Sequence, residues 1–146
     1  MKTIPATLLL ALGVWGTAGP AAAEDDKEKP VRAKADTRVF EMRTYYANPG
    51  KMVALHARFR EHTNRLFKKH GMEIIGFWVP TDPKEAEEKL VYILAFPSRE
   101  AAAKSWKAFQ DDPEWKRAKA ESEKDGVLVR KVDSVFLNPT DYSPIK

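Results

Sequence analysis

The side chains best suited to chemistry lie in one short stretch, in which Glu41, Arg43 and Tyr45 occupy every second position. Alternation through β-branched and aromatic residues predicts a half-buried strand that carries these three side chains on one face. An arginine offers a planar fork of donors for an anionic ligand, and Glu41 would orient that fork. The same pair would serve equally well as an internal or cross-dimer ion pair that fixes strand register. Both interpretations stay open at this point.

Among the histidines, His62 is the candidate catalytic group. It falls between Phe59 and Leu66 on the apolar side of a predicted helix, so we expect it to face the sheet. A neutral imidazole there would act as a proton acceptor or a haem ligand, or else as a core histidine held by one hydrogen bond. His56 lies six residues earlier and does not share its face as a metal pair. His70, at the helix end, is expected to cap carbonyl groups.

Two aromatic residues on neighbouring predicted strands complete the candidate site. Trp78 and Tyr92 would line a pocket for a flat apolar ligand, unless they simply fill the core. Together with Arg43 and His62 they are expected to enclose a small, partly aromatic anion.

Composition excludes several other classes of chemistry. The 146 residues contain no cysteine, which removes disulfides, thiolate metal sites and cysteine nucleophiles. We find no nucleophile–base signature, phosphate-cradling glycine loop, carboxylate-rich metal loop or dinucleotide fingerprint. We therefore predict no metal and no cofactor, with haem the one cofactor left open. Lys and Arg number 25 against 21 Asp and Glu, interspersed along the chain, which does not favour nucleic-acid binding.

The amino-terminal segment has the pattern of a signal peptide over residues 1–23. A basic start precedes an apolar core from Leu8 to Trp15, and Ala21 and Ala23 match a signal-peptidase site. That core is shorter than the roughly 20 apolar residues of a membrane-spanning helix, so an uncleaved anchor is disfavoured. Cleavage after Ala23 predicts a periplasmic or secreted protein with no stable membrane insertion. Residues 24–37 are charged and poor in large apolar side chains, which predicts a flexible linker.

Residues 38–146 read as one folded domain. The predicted order is strand, helix, strand, strand, split helix and strand, an α+β domain of the ferredoxin-like β-α-β-β-α-β type. The predicted elements are a strand from Val39, a helix from Met52 to His70, strands over 72–79 and 90–96, a helix after Ser98 that restarts at Asp112, and a strand over 127–137.

The two middle strands are apolar on both faces. Strict alternation puts Ile74 and Trp78 on one face and Phe77 on the other, and Val91 and Tyr92 also oppose one another. Two helices cover only one face of a four-stranded antiparallel sheet, so the second face needs another cover. A second copy related by a two-fold axis is the simplest cover, and we predict a homodimer.

The motifs of this domain resemble those of the NIPSNAP family, in order and spacing. They are Glu41-x-Arg43-x-Tyr45, Pro49-Gly50-Lys51, His70-Gly71, Gly76-Phe77-Trp78, Asp112-Pro113-Glu114-Trp115 and Pro139-Thr140-x-Tyr142-Ser143-Pro144. The resemblance implies a dimeric α/β barrel and a family with no settled reaction. The preferred hypothesis is a homodimeric module that binds a small molecule or a partner. The alternative is a cofactor-free monooxygenase or isomerase, or a haem-handling enzyme, because barrel relatives include such activities.

Overall fold

The structure, a computed structural model, describes residues 38–146. The predicted signal peptide (1–23) and the predicted linker (24–37) lie outside the described residues. The elements in chain order are β1 (Val39–Ala47), α1 (Met52–Arg58), a π-helical segment (Phe59–Thr63), α2 (Asn64–Lys69), β2 (Glu73–Trp78), α3 (Pro83–Ala86), β3 (Lys89–Phe96), α4 (Arg99–Asp111), α5 (Pro113–Ser122) and β4 (Val129–Leu137).

The four strands form one antiparallel sheet in the order β2-β3-β1-β4. The long helices pack on one of its faces, so the α+β, ferredoxin-like prediction is confirmed. No helix within residues 38–146 is long and apolar enough to cross a membrane.

Local capping chemistry sets the helix boundaries. Ser98 accepts the backbone N–H of Ala101 at 3.1 Å and begins α4. Asp112 accepts the backbone N–H of Glu114 at 2.8 Å and begins α5, with Pro113 at its first position. The α1 helix, the π-helical segment and α2 run on without a break, and we call them together the first long helix. It ends before Gly71, whose φ of 73° is the left-handed conformation that glycine adopts without strain.

The first long helix is continuous but widens in its middle. The backbone N–H of Asn64 reaches the carbonyl of Phe59, five residues back, and the Thr63 hydroxyl donates to the carbonyl of Arg58 at 3.2 Å. This π-type turn accommodates one extra residue. Each residue in this turn advances less around the helix axis than in an α-helix, and Phe59 and Thr63 at its two ends are both buried.

Strand register assigns each sheet face. The face against the helices carries Glu41, Arg43 and Tyr45 of β1 opposite Leu94, Tyr92 and Leu90 of β3. Tyr92 is fully buried at the centre of an aromatic cluster, with ring centroids between 5.3 and 5.9 Å from its neighbours. These neighbours are Tyr45, Phe59, Phe67 and Phe77.

A bulge in β2 corrects the predicted strand faces. The register against β3 shifts between Ile74 and Gly76, so Ile74 and Phe77 both face the helices. Trp78 lies on the opposite face instead of beside Ile74, because the extra residue reverses the alternation beyond it. The prediction that Ile74 and Trp78 share a face was therefore wrong.

The face turned away from the helices is apolar and open, and we call it the open sheet face. Its exposed members include Trp78, Val135 and Leu137, with exposed fractions of 49, 48 and 39%. Residues 138–146 continue beyond β4, and Arg38 Nε donates to the carbonyl of Lys146 at 2.7 Å. Tail residues Pro139 and Ile145 border a cavity of about 300 Å³ along this face.

Candidate functional site

Glu41 is the most heavily bonded side chain of the candidate site. Its carboxylate is buried and accepts hydrogen bonds from Arg43 Nη1 at 2.7 Å, Trp106 Nε1 at 2.5 Å and Ser134 Oγ at 2.6 Å. These donors come from β1 itself, α4 and β4. Three donors satisfy a buried carboxylate that would otherwise be costly, so Glu41 joins two strands to a helix.

Arg43 lies between the carboxylate of Glu41 and two aromatic rings. Its guanidinium carbon is 4.3 Å from the centroid of Trp106 and 5.7 Å from that of Tyr45. Burial disfavours its charge, but Tyr92, Tyr45 and Glu41 outweigh that effect and raise its pKa above the ordinary value. The buried Nε has no hydrogen-bond partner among the described residues. Arg43 is thus a permanent cation with a donor still to be satisfied.

Tyr92 lies beside this cation but inside the core. Burial and the neighbouring Tyr45 raise the pKa of its phenol well above 10, so the hydroxyl is neutral at physiological pH. That buried hydroxyl makes no hydrogen bond of good geometry within the described part of the chain. Tyr92 therefore packs in the core next to Arg43 and Tyr45, and it does not line the cavity described next.

A cavity of about 520 Å³ opens between β1 and helices α4 and α5, and we call it the Arg43 cavity. This volume suits a small ligand. It has aromatic walls and a mostly cationic set of charged groups. Its lining residues are Arg43, Tyr45, Trp106, Phe109, Gln110, Trp115, Lys116, Lys119, Ala120 and Glu123.

The charges around the Arg43 cavity favour an anion. Arg43, Lys116 and Lys119 oppose one lining carboxylate, Glu123. Glu123 is itself engaged by the buried Arg58, whose Nη1 donates to its Oε1 at 2.9 Å. Glu41 compensates part of the Arg43 charge, and the two lysines remain as a positive rim. The arrangement can hold an aromatic acid with its charged group near Arg43.

His62 does not face the sheet, and that prediction was wrong. Its side chain is 41% exposed, and its Nε2 lies 3.9 Å from a carboxylate oxygen of the adjacent Glu61. In the π-type turn each residue advances less around the helix axis than in an α-helix. The next residue to return to the buried face after Phe59 is therefore Thr63, four residues on, and not His62, three residues on. His62 borders a separate small groove with Ala118 of α5.

Trp78 is likewise outside the predicted pocket. It lies on the open sheet face and edge, whereas Tyr92 points into the helical layer. The structure brings together Glu41, Arg43, Tyr45 and Tyr92, and it places Trp78 and His62 elsewhere. The expected enclosure by Arg43, His62, Trp78 and Tyr92 is therefore not formed.

His70 contacts a carboxylate instead of capping carbonyl groups. Its Nε2 lies 2.7 Å from Asp112 Oδ2, and Lys69 Nζ is 2.7 Å from the same oxygen. The hydrogen bonds from Lys69 and His70, followed by that from the Glu114 backbone, lower the pKa of Asp112 well below its ordinary value. This cluster ties the end of α2 to the start of α5. Across residues 38–146 no three acidic or histidine side chains are grouped to hold a metal ion.

Trp106 is the site residue whose role the sequence did not reveal. Its Nε1 donates to Glu41, and its ring lies against the guanidinium of Arg43. The positive side of the cavity could have been found from the sequence, because Lys116 and Lys119 are three residues apart and so share one face of α5. The link from Trp106 to Glu41 spans 65 residues and has no local signature.

The sheet order, the single helical layer and the buried Glu41–Arg43 pair define a ferredoxin-like α+β domain with a cavity between its layers. The NIPSNAP family model matches residues 40–144, and the chain belongs to this family.

Solved structures agree on the fold. The chain is similar to a NIPSNAP family protein of unknown function from Agrobacterium tumefaciens, with 21% identity, a TM-score of 0.66, and coverage of 77% of this chain and 96% of that one. A second NIPSNAP family protein from that organism has 21% identity, a TM-score of 0.64, and coverage of 75 and 99%. A NIPSNAP-like domain protein from Burkholderia xenovorans has 19% identity, a TM-score of 0.63, and coverage of 73 and 89%. No curated protein matches the chain.

Proposed function

We propose that this protein is an exported, homodimeric module that binds a small aromatic anion in the Arg43 cavity. The observation that carries the proposal is a permanent cation held between Trp106 and Tyr45 at the wall of a cavity of about 520 Å³. Aromatic walls favour a flat body, and the guanidinium favours a carboxylate.

The state of Arg43 supports binding over a purely structural role. Its side chain lines the cavity of about 520 Å³, whereas Arg58, whose buried Nε likewise has no partner among the described residues, does not. Glu41 uses three hydrogen bonds to hold Arg43 and Trp106 in place. We therefore assign Glu41 a positioning role and Arg43 the contact with the ligand.

The homodimer part of the proposal rests on the open sheet face. Large apolar side chains there are two-fifths to one-half exposed, and a surface of this kind in a globular domain is normally covered. A second copy presents the same apolar surface, so a two-fold axis would cover both faces at once.

The export part of the proposal rests on the sequence before residue 24. The short basic start, the apolar core and Ala21-x-Ala23 together are the pattern that a signal peptidase cleaves. Intact mass of the protein recovered from the periplasm or medium should begin at Glu24. Recovery of the full-length chain in the membrane fraction would contradict export.

The enzymatic alternative depended on His62, as a base or as a haem ligand. His62 lies beside Glu61 on the outer helix surface, and no histidine within the described residues lines the Arg43 cavity. A binding role therefore has more geometric support than base catalysis or haem handling.

Titration with 2-naphthoate, a flat aromatic carboxylate, tests the proposed site. Calorimetry should show binding to the parent protein and at least tenfold weaker binding to Arg43→Lys, which keeps the charge but loses the planar fork. The matched control is Arg65→Lys, at an exposed arginine paired with Glu114, and it should bind as the parent does. The uncharged 2-naphthamide should bind weakly to all three.

Two outcomes would overturn this assignment. One is equal binding of 2-naphthoate to the parent and to Arg43→Lys. The other is a lower melting temperature for Arg43→Lys with unchanged affinity, which would make Arg43 a structural residue only.

A further inference from the structure

A second cavity lies between the first long helix and the β2 edge of the sheet. Its volume is about 320 Å³, and it shares no lining residue with the Arg43 cavity. One side is a polar row on the helix, formed by His56, Arg60 and Asn64. The rest of the lining is apolar, and it comes from Phe59 of the helix and from Phe77, Trp78, Val79 and Leu90 in and beside the sheet.

The π-type turn helps to place the polar row. In a regular α-helix, residues four apart drift by about 40° at each step, so a row of three would turn away from the cavity. The turn between Phe59 and Asn64 takes up an extra residue and reduces that drift. His56, Arg60 and Asn64 can then all line one cavity while Phe59 and Thr63 remain buried.

The polar row offers one unsatisfied acceptor and one unpaired cation. Asn64 Oδ1 is buried and has no hydrogen-bond partner within the described chain. Arg60 is exposed and forms no ion pair with any residue of 38–146. Burial and the nearby charge of Arg60 lower the pKa of His56, so this imidazole is neutral at physiological pH. A ligand that fits must donate to Asn64 and carry a negative charge for Arg60.

Trp78 supplies the aromatic wall because Gly76 leaves room for it. A Cβ atom added at Gly76 would lie 2.7 Å from Cη2 of Trp78, closer than such atoms approach. The indole thus lies over the bare backbone of Gly76, about half exposed, at the border between the second cavity and the open sheet face. A flat ring entering the cavity would meet the indole.

From this arrangement we propose that the second cavity is a separate ligand site for a small hydroxylated aromatic acid. Its hydroxyl donates to Asn64 Oδ1, its carboxylate pairs with Arg60, and its ring packs against Trp78. The two sites differ in what they select. The Arg43 cavity selects for charge, and the second cavity selects in addition for a hydrogen-bond donor.

Fluorine NMR of the protein labelled with 5-fluorotryptophan tests this proposal. Trp78 reports the second cavity, whereas Trp106 and Trp115 report the Arg43 cavity, and replacement of each tryptophan by phenylalanine assigns the signals. Titration with 4-hydroxybenzoate should shift the Trp78 signal to saturation, whatever the other two signals do. The isosteric 4-methylbenzoate, which lacks the donor, should need at least tenfold higher concentration.

Two variants separate the contacts. Asn64→Leu should weaken the 4-hydroxybenzoate response of Trp78 at least tenfold and bring it to the level of 4-methylbenzoate. Arg60→Gln, on the exposed side of the helix, should weaken the responses to both acids alike. The signals of Trp106 and Trp115 should be the same in both variants as in the parent, which shows that the fold is retained.

The proposal is overturned if Trp78 does not respond at millimolar 4-hydroxybenzoate. It is also overturned if Trp78 responds equally to both acids, or equally in the parent and Asn64→Leu. These results bear on the second cavity alone, because binding in the Arg43 cavity is read from Trp106 and Trp115.

Discussion

Single side chains in this domain carry more than one role, and Asp112 is a clear case. It caps α5 through the backbone N–H of Glu114 and also receives hydrogen bonds from Lys69 and His70. Its carboxylate is therefore held as an anion at the junction of two helices. The charge, more than the cap, distinguishes this position, since an asparagine caps a helix about as well as an aspartate does.

Asp112→Asn should make the protein less stable at neutral pH and should remove part of its acid sensitivity. The pKa of Asp112 is lower in the folded protein than the ordinary value near 4, so its stabilisation is present above that value. It is lost as the pH falls from about 4 toward the folded pKa. Urea unfolding between pH 2 and 7 should show the two proteins converging below pH 4. A gap that stays constant over this range would contradict the assignment.

At the level of elements, the first long helix is tied to α5 by a buried ion pair. Arg58 is buried at the start of the π-type turn, where its guanidinium carbon lies 5.3 Å from the ring centroid of Trp115. Its Nη1 donates to Glu123 Oε1 at 2.9 Å, just beyond the end of α5. This pair positions the helix that carries Lys116 and Lys119, so it bears on the shape of the Arg43 cavity.

Glu123→Gln should destabilise the domain by about 2 to 3 kcal/mol, because the buried Arg58 loses its counter-charge. This loss is smaller than that expected for a fully buried ion pair, because the Glu123 side chain is 17% exposed. The control is Glu121→Gln, two residues away, which breaks an exposed pair with Lys124 and should change the free energy of unfolding far less than Glu123→Gln does. Equal free energies of unfolding for the two variants would show that the buried pair stabilises the domain no more than the exposed pair does.

The sequence predicted the helices and strands well. It did not predict the single residues inserted within the first long helix and within β2. Caps such as Ser98 and Asp112, and the left-handed Gly71, act within one turn and are readable from local residues. The errors at His62 and Trp78 have a common cause, because each lies at or beyond a point where one extra residue enters a regular period. Such insertions leave the apolar pattern intact on either side, so the pattern alone does not show them. Glu41, Arg43 and Tyr45 share a face as predicted, since no insertion separates them.

For the whole molecule, the structure settles which strand face is open. Val91 lies on the open sheet face and Tyr92 faces the helices. A charge at these two neighbouring positions should therefore act in different ways. A charge at position 91 should affect association between copies, and a charge at position 92 should affect folding of a single copy.

Val91→Asp should convert the proposed dimer to a folded monomer, because it places an unpaired charge in an apolar interface. Tyr92→Asp should prevent folding, since that side chain is fully buried among aromatic rings. Sedimentation and circular dichroism distinguish the two results. The control is Val53→Asp on α1, where the valine is 80% exposed, and it should remain a folded dimer. A dimeric, folded Val91→Asp would refute association through this face.

The bulge in β2 also has a consequence for how far self-association can proceed. An unbroken outer strand presents a regular row of donors and acceptors to which further chains can add without limit. Here one border of the sheet is interrupted between Ile74 and Gly76, and the other carries the Lys131–Asp133 pair. Both borders are thus poor templates for strand addition. In the proposed homodimer, contact is made instead through the open sheet face, and a two-fold pair covers both faces so that no further copy can add. We therefore expect the bulge, which also misplaced Trp78 in the sequence-based prediction, to disfavour fibre formation through this strand.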